Sequence, residues 1–466
     1  MTQQSVASAV QRTQRSLLIH KSVFSWLGAL RAAAATVLLT FAVAAVDAAP
    51  APADIDKAAN AVEPQVLAWR HHLHQFPELS FQEFQTSKYI ADALRTMPGM
   101  EVHTGLGGTG IKAVLKGGRP GPVVALRADM DALPIEEKND LPFRSQATVL
   151  WQGKETAVMH ACGHDTHVAM LLGAASILSG MRAQLEGTVV FLYQPAEEWG
   201  GQDSPSGAPR MIADGALDDP KVEVVFGQHI ISNYYPGGAI SYRSGVQQAS
   251  ADGLAIAVHG VGAAANQPWR SRDPVVTAAQ IVTDLQSVVS RQTDLTERAA
   301  VVGVSQFNAG NRYNIIPEEA TLIGVIRTLS ERTRVQVNEA VTRMAQKVAE
   351  ASGLTAEVKI QRGTPVLVND PVLTARVLPA LQRAAGSDRV REIPPVTASD
   401  DFAVFSSAVP GLYWFLNGSP YADRPGPPNH SPQFIVDETA FKVGVKALVH
   451  VTLEYMRSAK ARVARP

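Results

Sequence analysis

Apolar and polar positions alternate in two different ways along the first part of the chain. Apolar runs predict strands at residues 111–116, 123–128, 188–193 and 222–227. Apolar positions at helical spacing predict helices at residues 55–73, 82–95 and 161–179. Strands that alternate with helices predict an α/β domain with a largely parallel sheet flanked by helices.

The middle of the chain has another order of elements. Strands are predicted at residues 251–260, 300–307, 320–328 and 357–362, and helices at 274–291 and 331–352. This β-α-β-β-α-β order is the ferredoxin-like pattern. We therefore expect residues 250–364 to form an inserted domain of the α+β class. Residues 54–249 and 365–466 then form the two parts of the first domain.

The N-terminus differs from the rest of the chain. Four basic residues between positions 12 and 31 precede an apolar run at residues 32–46, and small residues follow around Ala48. This order predicts a signal peptide over residues 1–48 and an exported protein, either periplasmic or secreted. A membrane anchor is the alternative, although the run is shorter than the roughly 20 residues that a spanning helix needs.

Composition and charge restrict the function classes. The chain has 466 residues, which predicts two folded domains. The formal net charge is -1, so no nucleic-acid or acidic-surface partner is implied. A small-molecule substrate is the expected partner. Cys162 is the single cysteine, so an internal disulfide is excluded. Its thiol is therefore an inert, a reactive or a metal-binding group.

The densest chemical motif is MHACGHDTH at residues 159–167, with three histidines, one thiol and one carboxylate. Cys162 and His164 are two residues apart, so in an extended turn both side chains can point the same way. Thiolate and imidazole are typical ligands for a metal such as zinc, and Asp165 could fix a histidine tautomer. The motif predicts a metal site; a polar helix N-terminus with coincidental histidines is the alternative.

Two acids, Glu197 and Glu198, directly follow the strand predicted at residues 188–193. Open α/β sheets bind ligands at the carboxyl ends of their strands. Adjacent carboxylates diverge, so one can ligate a metal while the other faces the reacting water. That division suits metal-assisted hydrolysis, in which a free carboxylate takes a proton from water. A solvated acidic loop is the alternative.

Two further histidines are weaker candidates. His229 follows a predicted strand, where a lone histidine is more often structural, and His430 lies in a proline-rich loop. His430 gains weight because a two-metal site needs more ligands than Cys162, His164, Glu198 and His229 provide.

Other patterns are interpreted as structural. The sequence GLGGTG at residues 105–110 matches a dinucleotide fingerprint, but a strand follows it rather than a helix, so we expect a turn. His71, His72 and His74 lie on the first predicted helix, where a structural role is expected. A nucleophilic role for Cys162 stays open as an alternative.

Together these residues resemble the metal-dependent aminoacylase/carboxypeptidase family, and within it the hippurate hydrolases and the hydrolases of auxin–amino acid conjugates. The resemblance spans about residues 60–455 and is specific as a combination, because its motifs occur in family order. The motifs are HQFPELS at 74–80, RADMDALP at 127–134, residues 159–167, QPAEE at 194–198, NIIP at 314–317 and NHS at 429–431.

The resemblance implies a hydrolase with two divalent metal ions. The metal ligands that it implies are Cys162, His164, Glu198, His229 and His430. It implies that Cys162 is a candidate bridge and that Glu197 is the general base. The inserted domain resembles a lid that commonly forms a homodimer, in which Asn314 and Arg327 match positions that grip the substrate carboxylate. Zinc or manganese fits these ligands, and cobalt or nickel could occupy them.

Two positions depart from the family pattern. The lid histidine of a G-x-x-x-H-x-x-x-P motif, which helps hold the developing oxyanion, is replaced by Ala264. Loss of one oxyanion donor typically costs about 10²–10³ in rate. His259 is near in sequence but out of register on an alternating strand. Asp400 replaces the glutamate of a Ser-Glu-Asp-Phe motif.

The sequence thus predicts a metal-dependent amidohydrolase acting on N-acyl amino acids, amino-acid conjugates or small peptides. Ala264 is the basis of an alternative, in which a catalytically weakened relative binds amino-acid conjugates without turnover. A third hypothesis is a thiol enzyme that uses Cys162 and stays active after chelation.

Overall fold

The structure is a computed structural model that describes residues 52–198, 205–296 and 299–463. The signal peptide predicted at residues 1–48 lies outside the described residues. Among the described helices, none has both the length and the apolar character that crossing a membrane requires.

The described part of the chain contains α-helices and β-strands with the following bounds. The α-helices are α1 Pro52–Gln75, α2 Phe84–Arg95, α3 His164–Gly180, α4 Gly207–Ala213, α5 Pro274–Gln292, α6 Glu331–Ala351, α7 Pro371–Ala385, α8 Phe402–Ala408 and α9 Phe441–Val463. The strands are β1 Met100–Leu106, β2 Gly110–Lys116, β3 Arg119–Asp129, β4 Thr148–Trp151, β5 Lys154–Ala157, β6 Glu186–Gln194, β7 Val224–Pro236, β8 Ile240–Tyr242, β9 Gly245–Gln248, β10 Asp252–His259, β11 Ala263–Ala264, β12 Ala300–Ala309, β13 Ile315–Ile316, β14 Glu319–Thr328, β15 Thr355–Arg362, β16 Leu367–Asn369, β17 Val390–Glu392 and β18 Gly411–Ser419.

Eight of the described strands form one mixed sheet in the order β1-β2-β6-β3-β7-β18-β8-β17. The central strands β6, β3, β7 and β18 run parallel to one another. Strands β1 and β2 are antiparallel at one edge, and β8 is antiparallel to β18 near the other. The carboxyl ends of the central strands therefore meet at one edge of the sheet, where α/β folds bind their ligands.

Helix α3 is the centre of the larger core. Nearly all of its residues are buried, because it lies between the sheet and the helices α1 and α9. Gly173 permits this close packing, since a Cβ there would come within 2.7 Å of Val66 on α1 and 3.0 Å of Val445 on α9. Helix α3, which begins within the MHACGHDTH motif, is thus tightly packed on several sides.

The inserted region folds as a four-stranded antiparallel sheet in the order β12-β14-β10-β15, with α5 and α6 on one face. Leu254, Ile256 and Leu322 belong to its own apolar core. The chain enters this lid beside Ser250, whose N–H donates to Thr328 O over 2.8 Å. The predicted fold class, an α/β domain with an inserted ferredoxin-like lid, is confirmed.

Several local expectations need correction. The large sheet is parallel in its central strands β6, β3, β7 and β18, as expected, and antiparallel pairs join further strands to both sides of them. His229 lies inside β7 instead of after a strand, because β18 continues to pair with β7 there, opposite Phe415. The helix predicted from residue 161 begins at His164. The expected turn at residues 105–110 is confirmed between β1 and β2.

Candidate metal centre

All five predicted metal ligands meet at the carboxyl-end edge of the parallel strands. They come from four separate parts of the chain: the loop before α3 together with the first residue of α3, the turn after β6, the interior of β7 and the loop between β18 and α9. Their ligand atoms form overlapping groups within 4.8 Å, namely Cys162/His164/His229, Cys162/Glu198/His430 and His164/Glu197/Glu198.

Cys162 lies at the centre of this ligand cluster. Its Sγ is 3.3 Å from Nε2 of His229 and 3.3 Å from Nε2 of His430. On the second side, His430 Nε2 is 2.9 Å from Oε1 of Glu198. The thiol thus belongs to two of these three groups, as His164 does.

The histidines are oriented by their other ring nitrogens. His164 Nδ1 donates to the carbonyl of Asp131 over 2.8 Å, and its Nε2 is buried without a hydrogen-bond partner. His229 Nδ1 donates to the carbonyl of Ile230 over 2.7 Å, which leaves Nε2 facing Cys162. Metal-bound histidines are typically fixed in this way. The unpartnered nitrogen and the thiolate, imidazole and carboxylate donors fit a divalent transition metal.

Asp131 positions the two adjacent glutamates. Glu197 N–H donates to its Oδ1 over 3.1 Å, and Glu198 N–H donates to its Oδ2 over 3.0 Å. The preceding residue, Ala196, has a φ of 51°, so the backbone turns sharply after β6. Asp131 therefore fixes the short segment that brings both carboxylates to the ligand cluster.

A network of buried polar side chains lies behind the ligand cluster, between β3 and β7. Arg127 donates to Asp129 over 2.7 Å and to Asp401 over 2.9 Å. The other oxygen of Asp129 accepts from His167 Nδ1 over 2.5 Å, and His167 Nε2 accepts from the N–H of Ile230 over 2.8 Å. This chain of contacts connects β3 to the segment of β7 that carries the predicted ligand His229.

The field at the centre favours an added cation. Burial opposes a charge on His164, but Asp129 and the hydrogen bond to Asp131 outweigh it and raise the pKa of His164 to about 10. Burial, together with the nearby carboxylate of Asp400, raises the pKa of Glu197 well above its usual range. Neighbouring carboxylates contribute to both shifts, so negative charge is concentrated at the centre.

The lid closes the other side of the site. A cavity of about 1220 Å³ lies between the ligand cluster and the lid sheet. Arg327 lines this cavity, and its Nη1 donates to Ser399 Oγ of the larger domain over 2.6 Å. The predicted carboxylate-binding arginine and the predicted general base, Glu197, therefore share one cavity.

The structure does not bring Asn314 to this cavity. Asn314 is exposed, its carbonyl accepts from the N–H of Ala265, and it is not among the described lining residues. Ala264 is also exposed and pairs with Ile315 in a two-residue strand. His259 lies 3.1 Å from Glu319 and outside the cavity lining, so it does not take the place of the missing histidine.

Asp400 is buried beside Arg127, and it also lines the cavity. Its Oδ1 accepts from Phe402 N–H over 2.8 Å and is 3.2 Å from Arg127 Nη2, and the Tyr413 hydroxyl donates to its other oxygen. The shorter side chain at this position is thus fully engaged, and its carboxylate belongs to the group that contains Glu197.

Sequence reasoning assigned no role to Asp129, Asp131 or His167. The motif RADMDALP contained the first two, and the MHACGHDTH motif contained the third. Apart from Arg127, the partners of these side chains named above are the backbone N–H groups of Glu197, Glu198 and Ile230, and His167 and Asp129 are partners of each other. All of these contacts join residues that are distant in sequence, so spacing alone gives no signal for them. A signal did exist in the unusual density of acids at the end of a buried strand.

A mixed α/β sheet with a ligand cluster at its strand ends, beneath an inserted lid that carries an arginine, defines a metal-dependent hydrolase. The chain belongs to Peptidase family M20/M25/M40, whose family model matches residues 125–454. It is therefore a hydrolase acting on amide bonds, as the sequence predicts.

Named relatives support this assignment. The chain is 38% identical over 394 residues to thermostable carboxypeptidase 1 of Saccharolobus solfataricus, with 84% of this chain and 95% of the relative covered. It is 36% identical to IAA-amino acid hydrolase ILR1-like 2 of Arabidopsis thaliana, with 85% and 87% covered. The YXEP protein of Bacillus subtilis, described as a dinuclear metal-binding peptidase of this family, matches with a TM-score of 0.69 at 32% identity, covering 85% of this chain and 99% of that one. The resemblance to auxin-conjugate hydrolases is thereby confirmed.

Proposed function

We propose that this protein hydrolyses the amide bond of N-acyl amino acids, amino-acid conjugates or small peptides and releases a free amino acid. One observation carries the proposal: Glu197, four of the five predicted metal ligands and Arg327 line the same cavity. This arrangement suits a substrate whose scissile amide lies at the cluster and whose carboxylate lies at the arginine.

Five residues, Cys162, His164, Glu198, His229 and His430, would hold two divalent ions. Such ions supply Lewis acidity that polarises a carbonyl and makes water nucleophilic near neutral pH. We propose zinc or manganese first, and cobalt or nickel as ions that the same ligands accept. The support is the donor set and the dinuclear relative in the same family.

The residues of this chain have separate roles in the proposed reaction. Glu197 takes a proton from the attacking water as the carbonyl carbon gains its new C–O bond. When the C–N bond breaks, Glu197 passes the proton to the leaving nitrogen, so the products are a carboxylic acid and a free amine. Arg327 binds the substrate carboxylate through its planar fork, and Ser399 holds the guanidinium in place.

Glu197→Gln tests this role. We expect kcat to fall by about 10²–10⁴, the usual range for loss of a general base, with bound metal unchanged. Glu136→Gln is the matched control, because Glu136 is exposed and outside the cavity. Full activity in Glu197→Gln would contradict the assignment, and activity that survives chelation would favour the thiol hypothesis.

A second candidate is a weakened relative that binds amino-acid conjugates without turnover. Ala264 favours it, because an oxyanion-stabilising histidine is replaced there. The complete ligand cluster and the presence of Glu197 favour hydrolysis. Tight binding of N-acyl amino acids without amino-acid release by the metal-loaded protein would favour the second candidate.

We further propose export and dimerisation. Residues 1–48 have the order of a secretory signal, which supports a periplasmic or secreted protein. Exposed apolar side chains on the lid, Phe307 and Ile315 among them, support a homodimer through that domain. Fractionation of expressing cells and light scattering of the purified protein test these two proposals.

A further inference from the structure

The lid sheet has two different faces. One packs against α5 and α6 and contributes Leu254, Ile256 and Leu322 to the lid core. Because successive side chains of a strand point to opposite faces, the residues between them point the other way. That second face borders the cavity that contains the ligand cluster.

Four residues on this second face form a continuous apolar surface, which we name the lid shelf: Gly253, Ala255, Ile323 and Val325. Gly253 pairs with Val325 and Ala255 pairs with Ile323, so the four form two neighbouring rows on adjacent strands. All four line the cavity. Val325 is 41% exposed, which leaves apolar area that a bound apolar group would remove from water.

Polar residues border the lid shelf without interrupting it. Lys359 pairs with Ala255, and Gln361 pairs with Gly253, on the next strand, β15. No member of the shelf itself carries a charge or a side-chain hydrogen-bonding group. A charged ligand group over the row formed by Gly253 and Val325, the row nearer Arg327, would lose hydration beside the uncharged Gln361, because Lys359 borders the other row at Ala255.

Arg327 fixes how a substrate approaches the shelf. It follows Val325 by two residues on β14, so the two side chains leave the strand on the same face. Its guanidinium bonds Ser399 across the cavity, on the side where Glu197 lies. The carboxylate site is thus directly beside the shelf.

The stereochemistry of an amino acid supplies the next step. Its α-carbon carries a carboxylate, an amide nitrogen and a side chain. With the carboxylate at Arg327 and the amide nitrogen beside Glu197, the side chain is the remaining group. It lies next to Arg327, and the lid surface beside Arg327 is the shelf.

We propose that the lid shelf receives the side chain of the released amino acid and selects bulky, uncharged, apolar side chains, such as those of leucine and phenylalanine, over glycine and acidic residues. This inference rests on the proposed function, because the carboxylate at Arg327 sets the direction of the side chain. It names a specificity surface on the lid rather than in the ligand cluster.

Gly253 offers a direct way to fill the shelf. Its φ is outside the left-handed region, and a Cβ there would meet only the Cβ of Gln361, at an ordinary 3.8 Å. Gly253→Leu should therefore fold normally and reduce the room on the shelf. Ala257→Leu is the matched control, because Ala257 lies on the same strand and face but outside the described cavity lining.

The experiment measures kcat/KM for glycine, leucine, phenylalanine and aspartate conjugates that carry one common acyl group. We expect the leucine and phenylalanine conjugates to exceed the glycine conjugate by about tenfold or more. Gly253→Leu should lower the first two values by about tenfold and leave glycine within about threefold. Ala257→Leu should match the wild type on all four.

Three results would overturn the assignment: equal values for glycine and leucine, a preference for aspartate, or an equal loss on every conjugate in Gly253→Leu. Release of no amino acid from any conjugate contradicts the proposed function instead. Calorimetric binding to Glu197→Gln then still tests the shelf. The leucine conjugate must bind about tenfold more tightly than the glycine conjugate, and equal binding would overturn the inference.

Discussion

The positions of the two adjacent glutamates, Glu197 and Glu198, depend on the carboxylate of Asp131. It accepts from the backbone of both Glu197 and Glu198, and from the hydroxyl of Ser80 over 2.6 Å. Burial favours its neutral form, but the hydrogen bonds from His164 and Ser80 outweigh that effect and lower the pKa of Asp131. It is therefore a charged acceptor that orients groups which reach the metal centre.

Asp131→Asn should weaken metal binding. An amide group has one oxygen and one NH₂, so one of the backbone N–H groups would face a donor instead of an acceptor. We expect metal affinity to fall by about 10–100-fold, as is typical when a supporting partner of a ligand is changed. A competition titration against a coloured chelator measures this. The exposed Asp140→Asn is the control, and unchanged affinity in Asp131→Asn would refute the role.

Single-residue chemistry was only partly predictable from the sequence. Cys162 and His164 could be recognised because thiol and imidazole stand two positions apart in a dense motif. Asp131 and His167 could not, because they act on backbone groups that folding brings to them from β6 and β7. Whether Asn314 and Arg327 act together stays a prediction, since one chain places only Arg327 at the cavity.

At the scale of elements, the start of α3 determines where two of the ligands lie. Gly163, between Cys162 and His164, is the N-cap and has a φ of 95°. A Cβ there would lie 2.5 Å from Cγ2 of Ile230 and would press on the strand that carries His229. Glycine is thus required by both the backbone conformation and the close approach of β7.

Gly163→Ala should disturb the metal centre and the fold together. Overpacking of this kind costs about 1–3 kcal/mol of stability, in addition to the unfavourable backbone angle. Thermal unfolding with and without added metal would show a lower midpoint and a smaller stabilisation by metal. Gly180→Ala, at the other end of α3, is the control because no atom lies within 4 Å of its added Cβ. Equal midpoints for the two variants would contradict this account.

Another pair of elements, α1 and α3, is joined by buried charges. His74 Nδ1 is 2.8 Å from Asp165, its Nε2 is 3.1 Å from Glu137, and Arg70 is 3.1 Å from Asp165. Burial and Arg70 act to lower the pKa of His74, but Asp165 and the hydrogen bonds outweigh them and raise it. The structural role expected for this histidine agrees with its position.

This network predicts a pH-dependent contribution to stability. A histidine with a raised pKa in the folded state stabilises fully below its unfolded pKa of about 6.5, and the contribution is lost as the pH rises through the folded value. We therefore compare the unfolding free energies of the wild type and His74→Gln in the presence of a chelator. The wild type should be more stable than the variant, by the largest amount at pH 6 and by less and less as the pH rises toward 9. His103→Gln, at an exposed site, is the control. A stability difference between the wild type and His74→Gln that grows with pH would contradict this prediction.

Elements with strong periodicity were predictable, and short ones were not. The long lid helices α5 and α6 and the buried strands β6 and β14 follow their apolar patterns. Strands β8, β16 and β17 have three residues each, which is too few for a periodic pattern to appear. The extension of β7 through His229 depends on pairing with β18, a contact that the local sequence does not encode.

The whole molecule brings together two surfaces, one from the larger domain and one from the lid. The larger domain supplies the ligand cluster and Glu197, and the lid supplies Arg327 and the lid shelf. The motif order along the chain predicted this division, because the carboxylate-binding motifs fall inside the insertion. The meeting of the two surfaces over one cavity could not be predicted, since it depends on how the lid is oriented where it joins the larger domain, at the hydrogen bonds from Ser250 N–H to Thr328 and from Ala251 N–H to Thr364.

The central claim is metal-dependent release of an amino acid from an amide. The most direct measurement is amino-acid release from a panel of N-acyl and N-aroyl amino acids by the metal-loaded protein, by a chelated sample and by Ala264→His. The account predicts release by the metal-loaded protein and loss of release after chelation. A silent wild type that becomes active in Ala264→His would favour the binding relative instead. Release that chelation leaves unchanged would contradict the account.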